Sequence, residues 1–187
     1  MQQKKTIEQL IEEGGLTQWD SDYIFSKAND GHSILFVGDK QSAKIEYLNA
    51  FIEAVPPDTN AFGFQNGNGL YRDAIGNLSF HSLSRPATLV MADYEEFKKE
   101  EDAALIIIDE VRGATEANIV ADAAITGLSV WSTVTCYNPG EALGRIAELG
   151  CERLGDDRFT AKNRLLECQF VIVSIKGSKV MGIEVTA

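Results

Sequence analysis

Cysteine, histidine and proline are scarce in this 187-residue chain, and positive charge is in short supply. The three cysteines, Cys136, Cys151 and Cys168, are odd in number and form no C-x-x-C pair. That count fits free thiols in a reducing compartment better than a disulfide framework or a zinc site. The two histidines, His32 and His81, lie too far apart in sequence to read as a ligand pair. Lysine and arginine total 17 against 28 aspartates and glutamates, giving a net charge of −11. Phosphate backbones and anionic membranes need a basic surface, so no direct nucleic-acid partner is expected, although a local basic pocket remains compatible. The longest strongly apolar run, Ala103 to Ile108, is far short of a membrane span. No apolar segment follows Lys4-Lys5, so neither a transmembrane segment nor a secretory signal is expected, and the expected location is cytoplasmic. What is present is an ordinary globular composition, 44% hydrophobic and 24% charged. The length predicts a single domain that buries roughly 70% of its unfolded surface.

Thr6-Ile7-Glu8-Gln9 has the form of a capping box and opens a helix with Ile7, Leu10 and Ile11 on one face, stopped by Gly14-Gly15. A second helix is predicted from Thr17 to Ala28, with Trp19, Tyr23, Ile24 and Ala28 as its apolar stripe. Ser33 to Val37 reads as a buried parallel strand. After the loop Gly38 to Lys44 comes a helix carrying Tyr47, Leu48, Phe51 and Ile52, ended by Pro56-Pro57. Further expectations are a strand at Ala61 to Phe64, a loop at Asn66-Gly67-Asn68-Gly69 and a helix over Ala92 to Glu101. Leu105 to Ile108 is the clearest buried strand and ends at Asp109-Glu110. A helix over Thr115 to Ile125, a strand over Ser129 to Thr135 and a Pro-initiated helix over Pro139 to Leu149 follow. The tail, Cys168 to Ile175 and Lys179 to Val185 about Lys176-Gly177-Ser178, reads as a β-hairpin. Strand–helix alternation predicts an α/β fold with a mainly parallel sheet flanked by helices. Residues 1–31 form leading helices, 32–150 the core, and 151–187 a last helix and hairpin.

Two strand ends carry chemistry. The loop Gly38-Asp39-Lys40-Gln41-Ser42-Ala43-Lys44-Ile45 joins a strand to a helix, the setting of a phosphate-binding loop of pattern G-x-x-x-x-G-K-[ST]. There, backbone N–H groups and a helix N-terminus face phosphate, the lysine meets the outer phosphates and a hydroxyl ligates magnesium. Gly38 and Lys44 are in register, Ala43 replaces the second glycine, and Ile45 has no oxygen to offer a metal. The replacement by Ala43 is tolerable provided its backbone avoids positive φ. The second is Leu105 to Glu110, a buried strand that delivers two carboxylates to the sheet's C-terminal edge, the form of a Walker B strand.

The chain resembles the motor ATPases of type II and type IV secretion, pilus assembly and Tad-type systems. The likeness rests on Asp109 to Ala114, Thr126-Gly127, Ser132-Thr133, Pro139 to Ile146, Ser33 to Pro57 and the opening Thr6 to Lys27. It implies a RecA-like P-loop NTPase fold with a C-terminal hairpin and covers only the family's C-terminal motor domain. It also implies ATP or ADP, with magnesium, as ligands. Nucleotide contacts fall on Gly38 to Ile45, a catalytic base on Glu110, a magnesium contact on Asp109, and a phosphate or intersubunit contact on Arg112. The departures fall on chemistry: beyond Ala43 and Ile45, the family's acidic box reads Phe64-Gln65-Asn66 here, and its S-T-L-H reads Ser132-Thr133-Val134-Thr135. Asp109 stands where the family's Walker B usually has glycine. Amides cannot supply negative charge to magnesium.

The resemblance therefore implies a shortened, degenerate ATPase domain, a nucleotide-sensing or structural component of a secretion, conjugation or pilus system. Its implied partners are a second copy, a related secretion ATPase or a membrane-platform protein. Two rival expectations stand beside it. One is an active ATPase using Lys44, Asp109 and Glu110; the other is an interaction protein whose loop is a relic. The blander readings are an ion pair of Arg112 with Glu110 or Glu116, an apolar filler at Cys136, and a core tryptophan at Trp131. Glu95, Glu96, Glu100, Glu101 and Asp102 read as a solvated helix face.

Overall fold

The computed structural model describes residues 5–67, 69–70, 78–154 and 157–186, with 151–154 as backbone alone. Met1 to Lys4, the loop residue Asn68 and the thiol of Cys151 thus lie outside the described residues. Both leading helices begin as the sequence predicts. α1 (Ile7–Glu12) and α2 (Gln18–Asn29) each carry a complete capping box, from Thr6 with Gln9 and from Thr17 with Asp20.

β1 (Ser33–Gly38) leads through the loop into α3 (Lys44–Glu53). β2 (Ala61–Gln65) and a short β3 (Ser79–Ser82) follow, then α4 (Ala87–Phe97), β4 (Leu105–Val111), α5 (Ala114–Thr126) and β5 (Ser129–Thr135). A 3-10 turn at Pro139–Glu141 opens into α6 (Ala142–Leu154), and α7 (Arg158–Leu166), β6 (Phe170–Lys176) and β7 (Lys179–Val185) complete the order. Among the described residues seven strands run β3-β2-β4-β5-β1-β6-β7, all parallel except β7, which turns back on β6. This is the predicted α/β sheet with its C-terminal hairpin.

Alternation along the central strands divides the core between two faces, as a parallel sheet covered on both sides requires. Leu35, Val37, Ile106 and Ile108 pack with Val90 and Tyr94 of α4, Val120 of α5 and Ile146 of α6. Ile34, Phe36 and Ile107 meet Leu10 of α1, Ile24 of α2 and Tyr47, Leu48 and Phe51 of α3.

Three expectations need correction. Ile24 of the α2 stripe is fully buried and Ala28 packs on the core, but Trp19 is 66% exposed and stacks on half-buried Tyr23 at 5.0 Å between centroids, so that end of the stripe is a surface ladder. α4 starts at Ala87, because Pro86 presets the helical φ at its N-cap, and it ends at Phe97. Glu100 and Asp102 therefore lie in the turn beyond it, where both accept hydrogen bonds from the Asn60 amide, at 2.7 and 3.0 Å. Finally, β4 does not end at Asp109-Glu110 but runs through them to Val111.

Candidate functional site

The strand order changes direction beside β1, and the C-terminal ends of β1, β4, β5 and β6 face one edge, where ligands of open α/β sheets bind. Gly38 pairs in register with Thr135 of β5 and Ile175 of β6, which fixes the loop's starting point. Glycine is required there. A Cβ would run into the carbonyl oxygen of Ile175 and the hydroxyl of Ser42, with Ser42 Cβ only 2.8 Å away.

The loop is tightly self-bonded. The Gln41 N–H donates to the Asp39 carboxylate at 2.8 Å, the Ser42 hydroxyl to the Asp39 carbonyl at 2.8 Å and Lys44 Nζ to the same carbonyl at 2.9 Å. The Ala43 N–H donates to the carbonyl of Gly177, in the hairpin turn, at 2.7 Å. Ala43 itself has φ −76°, so the absent second glycine costs no backbone strain. It sits at the N-cap of α3 without a side-chain cap, leaving the helix N-terminus to the loop.

A cleft of about 530 Å³ opens beside this loop. Lys40, Lys44, Arg112 and Arg145 line it with Glu110 and Thr135. Four cations surround one carboxylate in a chain of net charge −11, the local basic pocket that composition left open. Lys44 is nearly buried; burial pushes its ammonium below the ordinary lysine value, against the pull of Glu110 and Asp39. Arg145 is held loosely by Glu148 at 3.6 Å. Another groove, of about 370 Å³, lies at the opposite end of the strands, by Leu105 and Ser129, and among the described residues no charged side chain lines it.

The carboxylate pair is split by a bulge. Ile108 faces Ser132 and Val111 faces Val134, so β4 carries one residue more than β5 over this stretch. The two acids consequently have different surroundings. Glu110 reaches the cleft, accepting from Arg112 Nε at 2.7 Å and from the Thr135 hydroxyl. Burial pushes its carboxyl up, but Thr135, Arg112 and Lys44 together hold it below the ordinary glutamate value. The ion pair of Arg112 is thus with Glu110 rather than Glu116.

Asp109 is only 3% exposed and does not line the cleft. Its oxygens accept from the backbone N–H groups of Asn66 and Glu110, both at 2.7 Å, and burial still pushes its carboxyl above the ordinary aspartate value. The segment after β2 is folded over it. Asn49 donates to the Gly69 carbonyl at 2.9 Å, and the Leu70 N–H donates to buried Gln65 at 3.2 Å. Ile45 packs as an apolar residue under this segment. Among the described residues, no group of three or more His, Cys, Asp or Glu side chains is placed to hold a metal ion.

Lys40, Lys44, Glu110 and Arg112, singled out from the sequence, therefore come together, whereas Asp109 and Ile45 lie under the neighbouring loop. Arg145 and Thr135 also line the cleft, and sequence reasoning does not assign them to it. Position in the motif stretches Pro139 to Ile146 and Ser132 to Thr135 was the available signal. Cys136 is half-buried and Cys168 likewise; both are free thiols.

A parallel α/β sheet with a glycine-started loop leading into a helix, beside a cationic cleft, defines a P-loop ATPase-like fold. No family model and no curated protein matches the sequence. Solved structures do. The VirB11 ATPase of the Brucella suis type IV secretion system, in complex with sulphate, superposes with a TM-score of 0.66 at 13% identity, over 99% of this chain and 64% of its own. The Legionella pneumophila ATPase DotB gives 0.59 at 22% identity, over 87% and 46%. The pilus retraction motor PilT with bound ADP gives 0.67 at 14% identity, over 93% and 48%. This chain thus has the fold of the secretion and pilus motor ATPases and spans between 46% and 64% of the length of these three. No helix among the described residues is long and apolar enough to cross a membrane.

Proposed function

We propose that this chain is a single motor-like domain that binds the phosphates of ATP or ADP without efficient hydrolysis, as a nucleotide-sensing or structural component of a secretion, conjugation or pilus system. The observation that carries the reading is the cationic cleft around Lys44, set beside an Asp109 carboxylate that is engaged elsewhere. Lys44 meets the outer phosphates, Lys40, Arg112 and Arg145 supply further positive charge, and the uncapped N-terminus of α3 adds its dipole. VirB11 with sulphate and PilT with ADP are relatives in fold that hold ligands of the same anionic kind.

Magnesium enters this reading only on the nucleotide's own phosphates. The Ile45 side chain offers no oxygen, and Asp109 serves as the acceptor that ties the Asn66 backbone to β4. Glu110, held ionised between Arg112 and Thr135, is a weak base for a water molecule. The chain acts in the cytoplasm, beside a second copy, a related secretion ATPase or a membrane-platform protein.

Calorimetric titration with ATP and ADP, with magnesium and then with EDTA, tests the proposal. Binding that survives EDTA and is lost in Lys44→Ala is the expected result. Binding that requires magnesium would overturn it in favour of an active ATPase using Lys44, Asp109 and Glu110. Absence of binding at millimolar nucleotide would leave an interaction protein whose loop is a relic.

A further inference from the structure

A second cleft, of about 390 Å³, lies on the other side of the phosphate loop. Gly38 and Asp39 of the loop, Cys136 and Tyr137 after β5, Ile175 of β6 and Met181 of β7 line it. The two clefts are one edge divided by a loop: Thr135 lines the first and the next residue, Cys136, lines the second. They differ in chemistry. The first is cationic, while the second presents an aromatic ring, a thioether and aliphatic carbons, with charge only at Asp39 and Lys176.

Its two largest apolar side chains are also its most exposed. Tyr137 is 90% exposed and Met181 65%, although both stand next to a cavity of a size that encloses small ligands. A flat, weakly polar ring system that is tethered to a polyanion would bury both. Such a ring stacks on the tyrosine face and meets the polarisable sulfur edge-on.

We infer that this second cleft holds the nucleobase of the nucleotide whose phosphates occupy the first, stacked on Tyr137 and bounded by Met181. The inference rests on the proposed nucleotide reading and adds to it a residue-level base site. Stacking serves every base, because each has a π face, so recognition here is of a nucleobase as such, with little choice among bases. Ser174, lining the floor, supplies a hydroxyl for ring nitrogens or the sugar.

The test compares ATP with inorganic tripolyphosphate, which carries the charge without the base, on the full chain. Wild-type protein binds ATP more tightly than tripolyphosphate. Tyr137→Ala weakens ATP binding roughly tenfold, the loss of one stacked base, and leaves tripolyphosphate unchanged. Tyr137→Phe restores ATP binding, since the ring and not the hydroxyl is used. Being almost wholly exposed, Tyr137 can be removed without disturbing the fold. Alkylation of the half-buried Cys136 thiol, followed by peptide mass analysis, supplies a second readout, slowed by ATP more than by tripolyphosphate. Equal affinity for the two ligands, unaltered by Tyr137→Ala, would overturn the base site and leave the phosphate reading standing. A parallel loss of both ligands in Tyr137→Ala would also overturn it, since the ring would then be acting on the loop. Failure of wild-type protein to bind either ligand would sink the phosphate reading, and the base site with it.

Discussion

Replacing Glu110 by glutamine separates a nucleotide-binding role from an enzymatic one. Glutamine keeps the shape, accepts from Arg112 through its one amide oxygen and turns its NH₂ toward the Thr135 hydroxyl oxygen, but it removes the one carboxylate that lines the cationic cleft among the described residues. A phosphate charge about 6 Å from Glu110, at an effective dielectric constant of about 20, is repelled by roughly 3 kcal/mol. The cleft is open to solvent, so screening leaves about 1 kcal/mol of this. Glu110→Gln is therefore expected to tighten ADP binding about fivefold at low salt, with the gain shrinking at 0.5 M salt. Isothermal titration at two ionic strengths measures it. Stability moves the other way with acid. The folded pKa of Glu110 is lowered, so its contribution is present above the ordinary value of 4.5 and is lost as pH falls through the folded pKa. Glu110→Gln removes that acid-labile contribution, which urea unfolding between pH 3 and 7, a range of about 4 units, resolves. Weaker ADP binding, or a wild-type ATP turnover abolished in Glu110→Gln, would refute this reasoning and make Glu110 a base.

Asp109→Asn is expected to destabilise the fold by about 1–3 kcal/mol, because one backbone N–H of Asn66 or Glu110 then faces an amide NH₂. Faster amide exchange over Asn66, Gly67 and Leu70 would accompany the loss in urea unfolding. The folded pKa of Asp109 is raised, so its ionisation costs stability as pH rises through that value, and the variant lacks this dependence. Tyr47→Phe is expected to cost about 1 kcal/mol, since the buried hydroxyl is shared between the carbonyls of Gly15 and Ser178 at 2.7 and 2.8 Å. Chemical denaturation measures that loss, and an unchanged midpoint would show the hydroxyl to be idle.

The central strands were legible in the sequence because a strand buried on both faces must be a continuous apolar run, as in Leu105 to Ile108 and Ser33 to Val37. β3 was not legible. Ser79-Phe80-His81-Ser82 is a short edge strand, exposed at both ends and half-buried only at Phe80 and His81, and nothing in its composition separates it from a loop. The α2 stripe shows a different limit, since helical periodicity reports a shared face but not whether that face meets the core. Trp19 and Tyr23 share theirs with each other and with Lys27, whose ammonium lies 5.9 Å from the Tyr23 ring. At the site, loop spacing singles out Lys44, the acidic strand end Glu110, and the family resemblance Arg112, and the three line one cleft. Spacing could not show that a bulge would part Asp109 from Glu110, because a bulge is a property of the pairing between two strands rather than of either one.

The hairpin turn that meets the phosphate loop has a mechanical meaning. Ala43 and Tyr47 sit one turn apart at the start of α3, and through Gly177, Ser178 and Gly15 they fasten both the last hairpin and the segment joining the first two helices to a single point. The Val180 N–H donates to the Gly15 carbonyl at 2.8 Å and closes the triangle. For the Ala43 amide to face a phosphate, the carbonyl of Gly177 must give up a 2.7 Å hydrogen bond, and linkage makes the exchange reciprocal. A load applied to the hairpin is thereby a load on the loop, and under the proposed nucleotide reading the outer strand of the sheet would be the lever arm through which occupancy of the loop is felt, or imposed, at a distance.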